Sequence, residues 1–428
     1  MNKKRIVIIG SGAAGMTSAW LLDEEYEIIL FEQESELGGH ACSIPIAINN
    51  STIMVEAGAE FFSDAMFTEF NKLLKILEIP VQKYPLTYTF YNTKTGQTIV
   101  LPPLHDNAIS WGSLEGENLF DLIEFKHFSS NATTVIAHRD TDLTIEDYCN
   151  TIELLSDSFK HQFLYPFFAA SWGITPEEVK TLSAYNVLVW VTKHQPSGLT
   201  GLMWNEVIGG MNSYIQKMAA QLRNTQIKTN AQIISISYHE NQYHLKQKDG
   251  TITIVDHLVI ATNAHQAQEL IAHIPHAQTV KKSLTQINYF KTTIAIHGDR
   301  RLMPKNHADW TIANIAFDGK HSALTVCKPR MKEHAIYRSW ITYHLHGQLQ
   351  NNELPEPLYA IKHFYHPKPT PAYFQTQKTI AQTLGHNNLW IAGFYTTDVD
   401  SHNSAIISAI HIAKKLAPKS KRLAQLIS

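Results

Sequence analysis

The sequence predicts an α/β fold in which a parallel sheet covered by helices is interleaved with a second, α+β domain. Three observations predict it. An apolar run leads into a glycine-rich turn near the N-terminus, a second apolar run ends in a carboxylate, and related segments recur much later in the chain. The 428 residues, 44% of them hydrophobic, are enough for two or three domains with a large core.

Composition argues against several classes of protein. The formal net charge of −2 gives no electrostatic basis for binding nucleic acid. Cys42, Cys149 and Cys327 lie far apart with no CxxC motif, which argues against a disulfide framework or a zinc site and favours a reducing, cytoplasmic location. No apolar run approaches the roughly 18 residues that span a bilayer. The histidine pairs lack partners at metal-ligand spacing, so no metal is expected.

The first motif lies at the N-terminus. Residues 6–9 are apolar and largely β-branched, as in a strand buried on both faces. Gly10, Gly12 and Gly15 follow at GxGxxG spacing, and the pattern of residues 13–22 predicts a helix. The first glycine permits a tight turn, the second lets backbone approach a diphosphate, and the third lets the helix pack closely on the strand. The helix N-terminus offers free N–H groups to the phosphates.

The next segment supports a bound dinucleotide. Residues 27–31 form a second apolar run that leads into Glu32, at the distance from Gly10 where an acid binds the ribose hydroxyls. A signal peptide, the other interpretation of the basic and apolar N-terminus, explains none of these spacings. Gly38 and Gly39 then offer a second place where backbone can approach a ligand, and His40 follows them.

Together these motifs resemble the extended fingerprint of the glutathione-reductase-type FAD proteins, in the branch of the flavin amine oxidases and phytoene desaturases. The resemblance implies a Rossmann-like domain with non-covalent FAD. In that branch the paired glycines are usually followed by arginine, whereas this chain has His40. Later stretches agree in order: a strand and glycine at 55–60, a GGM helix start at 208–211, strands at 229–236 and 257–262, and a strand and glycine at 389–393.

These motifs imply the cofactor contacts. They are Gly10, Gly12, Ala13, Ala14, Gly15, Glu32, Gln33, Gly38, Gly39, His40, Gly58, Ala59, Ile233, Gly393, Ala405 and Ile406. The last two belong to a predicted helix at 401–416, with Ser401 or Asn403 as its N-cap, whose N–H groups would stabilise negative charge on reduced flavin. The family usually has an acid directly after the glycine matched to Gly393. Here Phe394 stands there, and either backbone alone or Asp398 takes its place.

The interruptions predict two discontinuous domains. Residues 1–80, 203–266 and 375–428 are assigned to the FAD domain, and residues 81–202 and 267–374 to a substrate domain. In the latter, alternating runs at 292–297 and 337–344 predict antiparallel strands, and 159–171 predicts an aromatic-rich helix that contains Pro166.

No independent catalytic motif is present, which fits a protein whose cofactor carries the chemistry. We expect hydride transfer between a substrate carbon and flavin N5 at the domain interface. Candidate lining residues are Trp172, Trp204, Tyr343, Tyr395 and His402, and an amine substrate would call for an aromatic cage such as Tyr343 and Tyr395.

Several functions stay open at this point. We expect an organic substrate that is apolar or amine-bearing, either a small molecule or a lipid-like one. The stretches 163–179 and 400–416 resemble bacterial amine-oxidase-like flavoproteins of lipid-related context. A fatty-acid double-bond isomerase or desaturase with redox-neutral flavin is one alternative. A dehydrogenase using NAD(H) alone and a non-enzymatic binding protein on the same fold are others. Basic residues at 414–422 leave a weak peripheral membrane contact open. The electron acceptor and the oligomeric state are not predicted.

Overall fold

The computed structural model describes residues 4–48, 51–105, 108–194, 202–350 and 352–428. The strands are β1 (Arg5–Ile9), β2 (Glu27–Phe31), β3 (Ser43–Ile48), β4 (Ser51–Glu56), β5 (Val81–Pro85), β6 (Tyr88–Asn92), β7 (Thr98–Leu101), β8 (Leu104–His105), β9 (Ala108–Ile109), β10 (Met203–Val207), β11 (Thr225–Lys228), β12 (Ile233–His239), β13 (Gln242–Gln247), β14 (Ile252–Val255), β15 (His257–Ile260), β16 (Tyr289–His297), β17 (Ala313–Phe317), β18 (Ser322–Val326), β19 (Tyr337–Trp340), β20 (Leu358–Pro367) and β21 (Leu389–Ile391).

The α-helices are α1 (Ala13–Leu22), α2 (Thr68–Ile76), α3 (Gly116–Ser130), α4 (Ala132–His138), α5 (Ile145–Asn150), α6 (Asp157–Phe159), α7 (Tyr165–Trp172), α8 (Pro176–Val179), α9 (Ala184–His194), α10 (Asn212–Ala220), α11 (Ala264–Leu270), α12 (Gln278–Leu284), α13 (Pro329–Glu333), α14 (Pro371–Thr383), α15 (His402–Leu416) and α16 (Lys421–Ile427). No helix in the described ranges is both long and apolar enough to cross a membrane.

A five-stranded parallel sheet forms the first layer, in the order β11-β2-β1-β15-β21. One apolar cluster packs α1, α2, α10 and α15 against β1 and β2, and a second packs α11, α12 and α14 against the opposite face. Burial on both faces explains why β1 and β15 are almost continuously apolar. The predicted α/β layer is therefore confirmed.

A second sheet of seven strands has the order β20-β16-β19-β18-β17-β6-β7 and is mostly antiparallel. Helices α5, α7 and α9 share an apolar cluster with its strands β6, β17 and β18. The strand β10 pairs with β5, although the sequence assigns residues 203–207 and 81–85 to different domains. The domain boundaries stay a prediction.

Three predicted elements differ from the structure. The run 229–236 is not one strand, because Asn230 has a left-handed backbone (φ +52°) and β12 begins only at Ile233. The strand expected at 337–344 ends at Trp340. The helix expected at 159–171 is divided by a π-helical segment at Lys160–Leu164, and Pro166, which has no N–H, lies in the first turn of the helix that follows.

Candidate active site

A single cleft joins the two layers. Its volume is about 2150 Å³, whereas pockets for one small molecule measure about 300–1,000 Å³. It begins at the carboxyl ends of the parallel strands, where Gly10, Glu32, Ala261 and Gly393 line it, as ligand sites do in open α/β sheets. The cleft has room for a dinucleotide and a second molecule.

The two glycine motifs meet in this cleft. Gly12 and Gly38 form a parallel β-bridge, and a Cβ on Gly39 would lie 3.3 Å from the Cα of Gly12. A Cβ on Gly12 itself would find no protein atom nearer than the Gly38 oxygen at 3.9 Å, so the space beside it is open. Gly15 does not line the cleft. A Cβ there would lie 1.9 Å from the Gly10 oxygen, because α1 packs directly on the turn.

Glu32 is buried and held in place by hydrogen bonds. Its Oε2 accepts from the Ser11 N–H (2.9 Å) and hydroxyl (2.6 Å), and its Oε1 accepts from the Glu34 N–H (3.0 Å). The Ser11 Oγ also accepts from the Gly38 N–H at 3.3 Å. Ser11 therefore connects the first turn, the predicted ribose acid and the second glycine motif. The sequence analysis missed it, and a small polar residue between two glycines was the available signal.

Four residues that line the cleft each have a buried polar atom without a hydrogen-bond partner in the described ranges: His40 Nε2, His265 Nδ1, Trp340 Nε1 and the Tyr395 hydroxyl. The His40 ring packs against Phe364 and His366, with centroids 5.1 and 5.0 Å away. Burial lowers the pKa of His40 to about 4, so the ring is neutral at pH 7 and does not replace the arginine charge of the family motif. Unpaired buried polar atoms are costly, and a polar ligand in the cleft would satisfy them.

The helix α15 has its N-terminus at the cleft, which Ser401, His402 and Ala405 line. Ser401 is its N-cap, with Oγ accepting from the Ser404 N–H at 3.1 Å, whereas Asn403 instead accepts from the Phe70 N–H at 2.8 Å. His402 lines the cleft and shares a 2.7 Å hydrogen bond with the Tyr214 hydroxyl. Burial lowers the pKa of His402 to about 3.

The other predicted cofactor contacts divide into two groups. The cleft is lined by Ala13, Ala14, Gln33, Gly58, Ala59, Ile233 and Ala405. Ile406 does not line it, because its side chain is fully buried in the apolar cluster beneath α15. The cofactor contacts remain a proposal, but apart from Gly15 and Ile406 the residues lie around one cavity.

The far half of the cleft is an aromatic chamber, which we define by Phe167, Trp172, Trp190, Trp204 and Trp340. Trp204 stacks on His194 with ring centroids 4.5 Å apart. Trp340 ends the strand β19, and its indole Nε1 is buried without a partner in the described chain. The walls of this chamber favour an apolar molecule.

Tyr343 lies elsewhere, so the expected cage with Tyr395 does not form. Tyr343 stacks on His321 (centroids 4.8 Å apart, planes at 4°) and does not line the cleft. The physical reason is that β19 ends at Trp340 and the chain turns away, which leaves Trp340 as the aromatic residue that this strand presents to the chamber.

Asp400 is a site residue that the sequence analysis missed. Its Oδ2 accepts from Trp172 Nε1 (2.8 Å), and its Oδ1 accepts from Asn186 Nδ2 (2.7 Å) and Trp190 Nε1 (3.2 Å). Burial raises the pKa of Asp400 to about 6. Asp398, which the sequence suggested instead, lies outside the cleft, where it accepts from the Tyr185 hydroxyl at 2.8 Å.

A buried ion cluster supports the turn after β4. Lys328 Nζ lies 2.7 Å from Glu60 and 2.6 Å from Glu206, and Arg338 lies 3.0 Å from Glu60. Arg338 also donates to the Gly58 carbonyl at 3.4 Å. Because Gly58 lines the cleft, this cluster couples strands of the second sheet to the predicted ring-binding turn.

Cationic side chains along the described cleft are few. The lysines among its described lining residues are Lys126 and Lys362, and both are exposed. In the described ranges, no group of three or more His, Cys, Asp or Glu side chains is arranged to hold a metal ion.

Comparisons with known proteins agree with this geometry. The family model for flavin-containing amine oxidoreductases matches residues 13–324. No curated protein is significantly similar in sequence. Among solved structures, a CLA-producing fatty acid isomerase from P. acnes is similar with 14% identity and a TM-score of 0.65, over 97% of this chain and 98% of that one.

Two oxidase structures are similar to the same degree. A triple mutant of putrescine oxidase shows 12% identity and a TM-score of 0.66, over 98% of this chain and 99% of its own. Cyclohexylamine oxidase from Brevibacterium oxydans IH-35A shows 14% identity and a TM-score of 0.65, over 97% and 99%. At these identities the likeness establishes a shared fold.

Proposed function

Because this chain belongs to the flavin-containing amine oxidoreductases, an FAD-dependent family, we propose that it transfers a hydride between an apolar or amine-bearing organic substrate and flavin N5. One observation carries the proposal. The same cleft is lined by the paired glycine turns, by the N-terminus of α15 and by the aromatic chamber. A cofactor held at the first two would share an enclosed space with a substrate in the third.

The residues present suit FAD. The open space beside Gly12 would admit the diphosphate, and Glu32, whose three hydrogen bonds leave about one lone-pair position, would accept from a ribose hydroxyl. His40 Nε2 and the Tyr395 hydroxyl are buried atoms in need of a partner. When bound, FAD supplies a two-electron acceptor or donor at its ring.

The protein's own contribution is binding, orientation and exclusion of water. The chamber walls would hold an apolar carbon skeleton and keep water from the reacting carbon. Many members of the amine oxidase branch that this sequence resembles have a lysine that holds a water molecule near the flavin. Here the lysines lining the described cleft are exposed ones, which favours an apolar substrate over the amine-oxidase arrangement.

A second candidate is a redox-neutral double-bond isomerase of unsaturated fatty acids. The chamber favours it as well, because an unsaturated acyl chain is apolar and its allylic C–H bonds are the weak ones. In that reaction the hydride leaves one carbon and returns to another, so no acceptor is needed.

An anaerobic experiment distinguishes the two. The FAD-bound protein is mixed with candidate amines and then with unsaturated fatty acids, while the visible absorbance of flavin is followed. Lasting bleaching, with peroxide on re-aeration, identifies an oxidase, and product formation without lasting bleaching identifies an isomerase. Trp204→Ala should alter the reaction, whereas Trp111→Ala, on an exposed residue outside the cleft, should not. A protein that retains FAD but changes none of these substrates contradicts the proposal.

A further inference from the structure

Asp400 carries a negative charge that the surrounding protein does not neutralise. The ion pairs in the described part of the chain do not include it. Its partners are three neutral N–H donors, from Trp172 at the end of α7 and from Asn186 and Trp190, four residues apart on α9. Neutral donors orient a carboxylate and stabilise its ionised form, but they leave its net charge in place.

The charge lies where the reaction is proposed to occur. Asp400 lines the cleft, and so do both indoles that donate to it. It immediately precedes the N-cap of α15, the helix whose N-terminus faces the predicted cofactor. Because the Asp400 carboxyl is buried, its charge acts more strongly than it would in water. The three side-chain donors hold the carboxylate in one orientation at the cleft.

Loss of a hydride would create a positive charge on the substrate, opposite in sign to the charge of Asp400. Bound FAD would supply the hydride acceptor: the substrate C–H bond would break, both of its electrons would leave with the hydrogen, and the substrate carbon would become electron-deficient. Resting on the proposed function, we propose that the Asp400 carboxylate stabilises this positive charge on the substrate, with the Trp172 and Trp190 rings as the intervening wall. The positive carbon is discharged either by loss of a proton or by return of the hydride.

The aromatic wall supports the same conclusion. Aromatic faces attract cations through their quadrupoles, and Asp400 orients two of these rings through their indole N–H groups. A preorganised negative charge behind aromatic rings stabilises a transition state in which positive charge develops, and no reorganisation is needed at the moment of reaction.

The test measures charge preference at equilibrium, without turnover. Benzyltrimethylammonium and its neutral carbon isostere, neopentylbenzene, are titrated into the oxidised FAD-bound protein, and binding is followed by tryptophan fluorescence and by the flavin spectrum. We expect the cation to bind at least tenfold more tightly. Asp400→Asn, which keeps the shape, should reduce that preference tenfold or more. Asp398→Asn, two residues away but outside the cleft, is the matched control and should keep it.

A second measurement covers the case in which Asp400→Asn does not fold. In the wild-type protein the preference for the cation should decline below about pH 6, as the Asp400 carboxyl gains its proton. Burial lowers the pKa of His194 to about 4 and of His402 to about 3, so these neighbouring groups stay neutral in that range. Burial also raises the pKa values of the Tyr373 and Tyr395 hydroxyls well above the usual value for tyrosine.

Equal binding of the two ligands to the wild type, or an unchanged preference in Asp400→Asn, would overturn the inference. Failure of the proposed function gives a different result. In that case none of the candidate amines or fatty acids would be converted, whereas the charge preference would be measured independently of turnover.

Discussion

Replacing Gly12 with alanine distinguishes the effect of this position on folding stability from its effect on ligand binding. Gly12 has φ −64° and ψ −177°, a conformation that alanine adopts without strain. The new Cβ would lie 3.9 Å from the Gly38 oxygen and farther from other protein atoms. The free energy of unfolding of the FAD-free protein should therefore change by less than about 1 kcal/mol, because the restriction that alanine places on the unfolded chain opposes its poorer fit at Gly12, the N-cap of α1.

FAD binding should respond in the opposite way. The methyl group would occupy open space between the two glycine turns, where the diphosphate is expected to approach the backbone. We expect at least a tenfold weaker affinity, which corresponds to about 1.4 kcal/mol. Urea unfolding of the FAD-free protein measures the first quantity, and titration of FAD by flavin fluorescence measures the second.

Gly15→Ala should behave differently, because glycine is required there by the close packing of α1 on the turn and not by the ligand. Its Cβ would lie 1.9 Å from the Gly10 oxygen and 3.1 Å from the Ala261 Cβ, so α1 must shift, at a cost of about 1–3 kcal/mol or more. Gly112→Ala meets no atom within 4 Å and controls for the substitution itself. A Gly12→Ala protein that binds FAD normally but unfolds more easily would refute the reasoning.

Tyr395→Phe should weaken FAD binding several-fold in a fluorescence titration. The FAD-free protein should be as stable as the wild type or more stable, because the lost hydroxyl is buried without a partner in the described chain. Unchanged FAD affinity would contradict a role of this hydroxyl in binding. Lys328→Met should lower the free energy of urea unfolding by about 3–5 kcal/mol, because the buried cluster keeps the carboxylates of Glu60 and Glu206 but only one of its cations, Arg338. The exposed Lys83→Met should cost less than about 1 kcal/mol, and equal losses would count against the cluster. Burial raises the pKa of Glu56 from its ordinary 4.5 to about 7, so its ionised form costs stability on the order of 3 kcal/mol. That cost should grow as the pH rises from about 4.5 to 7 and disappear from the pH dependence of Glu56→Gln, as measured by urea unfolding across this range.

The N-terminal unit could be predicted because its signals are local. The buried strand, the glycine turn and the start of the helix each follow from residues within about four positions of one another, and the observed β1 and α1 reproduce them. Where the local signals were weaker, the observed boundaries of the elements differ from the predicted ones. Nothing in the neighbouring residues indicates that Asn230 adopts a left-handed backbone, and the run 229–236 contains enough β-branched residues to suggest an unbroken strand.

The chamber was less predictable, because its residues come from distant segments. Trp172 and Trp190 approach Asp400 across more than 200 positions of sequence, and that approach depends on where α7 and α9 lie relative to the start of α15. Aromatic residues are common in cores, so the sequence offered no means of preferring Trp340 to Tyr343 before the end of β19 was known.

The contrast between Asp398 and Asp400 shows what decides such cases. Both are acids just before the predicted helix, and either could have served after Gly393. Asp398 has a left-handed backbone (φ +50°), and its carboxylate lies 3.3 Å from Arg139 on the outer side. Asp400, two residues further on, points to the indoles instead. One is held by a partly exposed ion pair and the other by neutral donors at the cleft, so of these two acids only Asp400 keeps an uncompensated charge beside the proposed substrate chamber. Which of two acids two positions apart lies at the cleft depends on the local backbone conformation, which composition and spacing do not report.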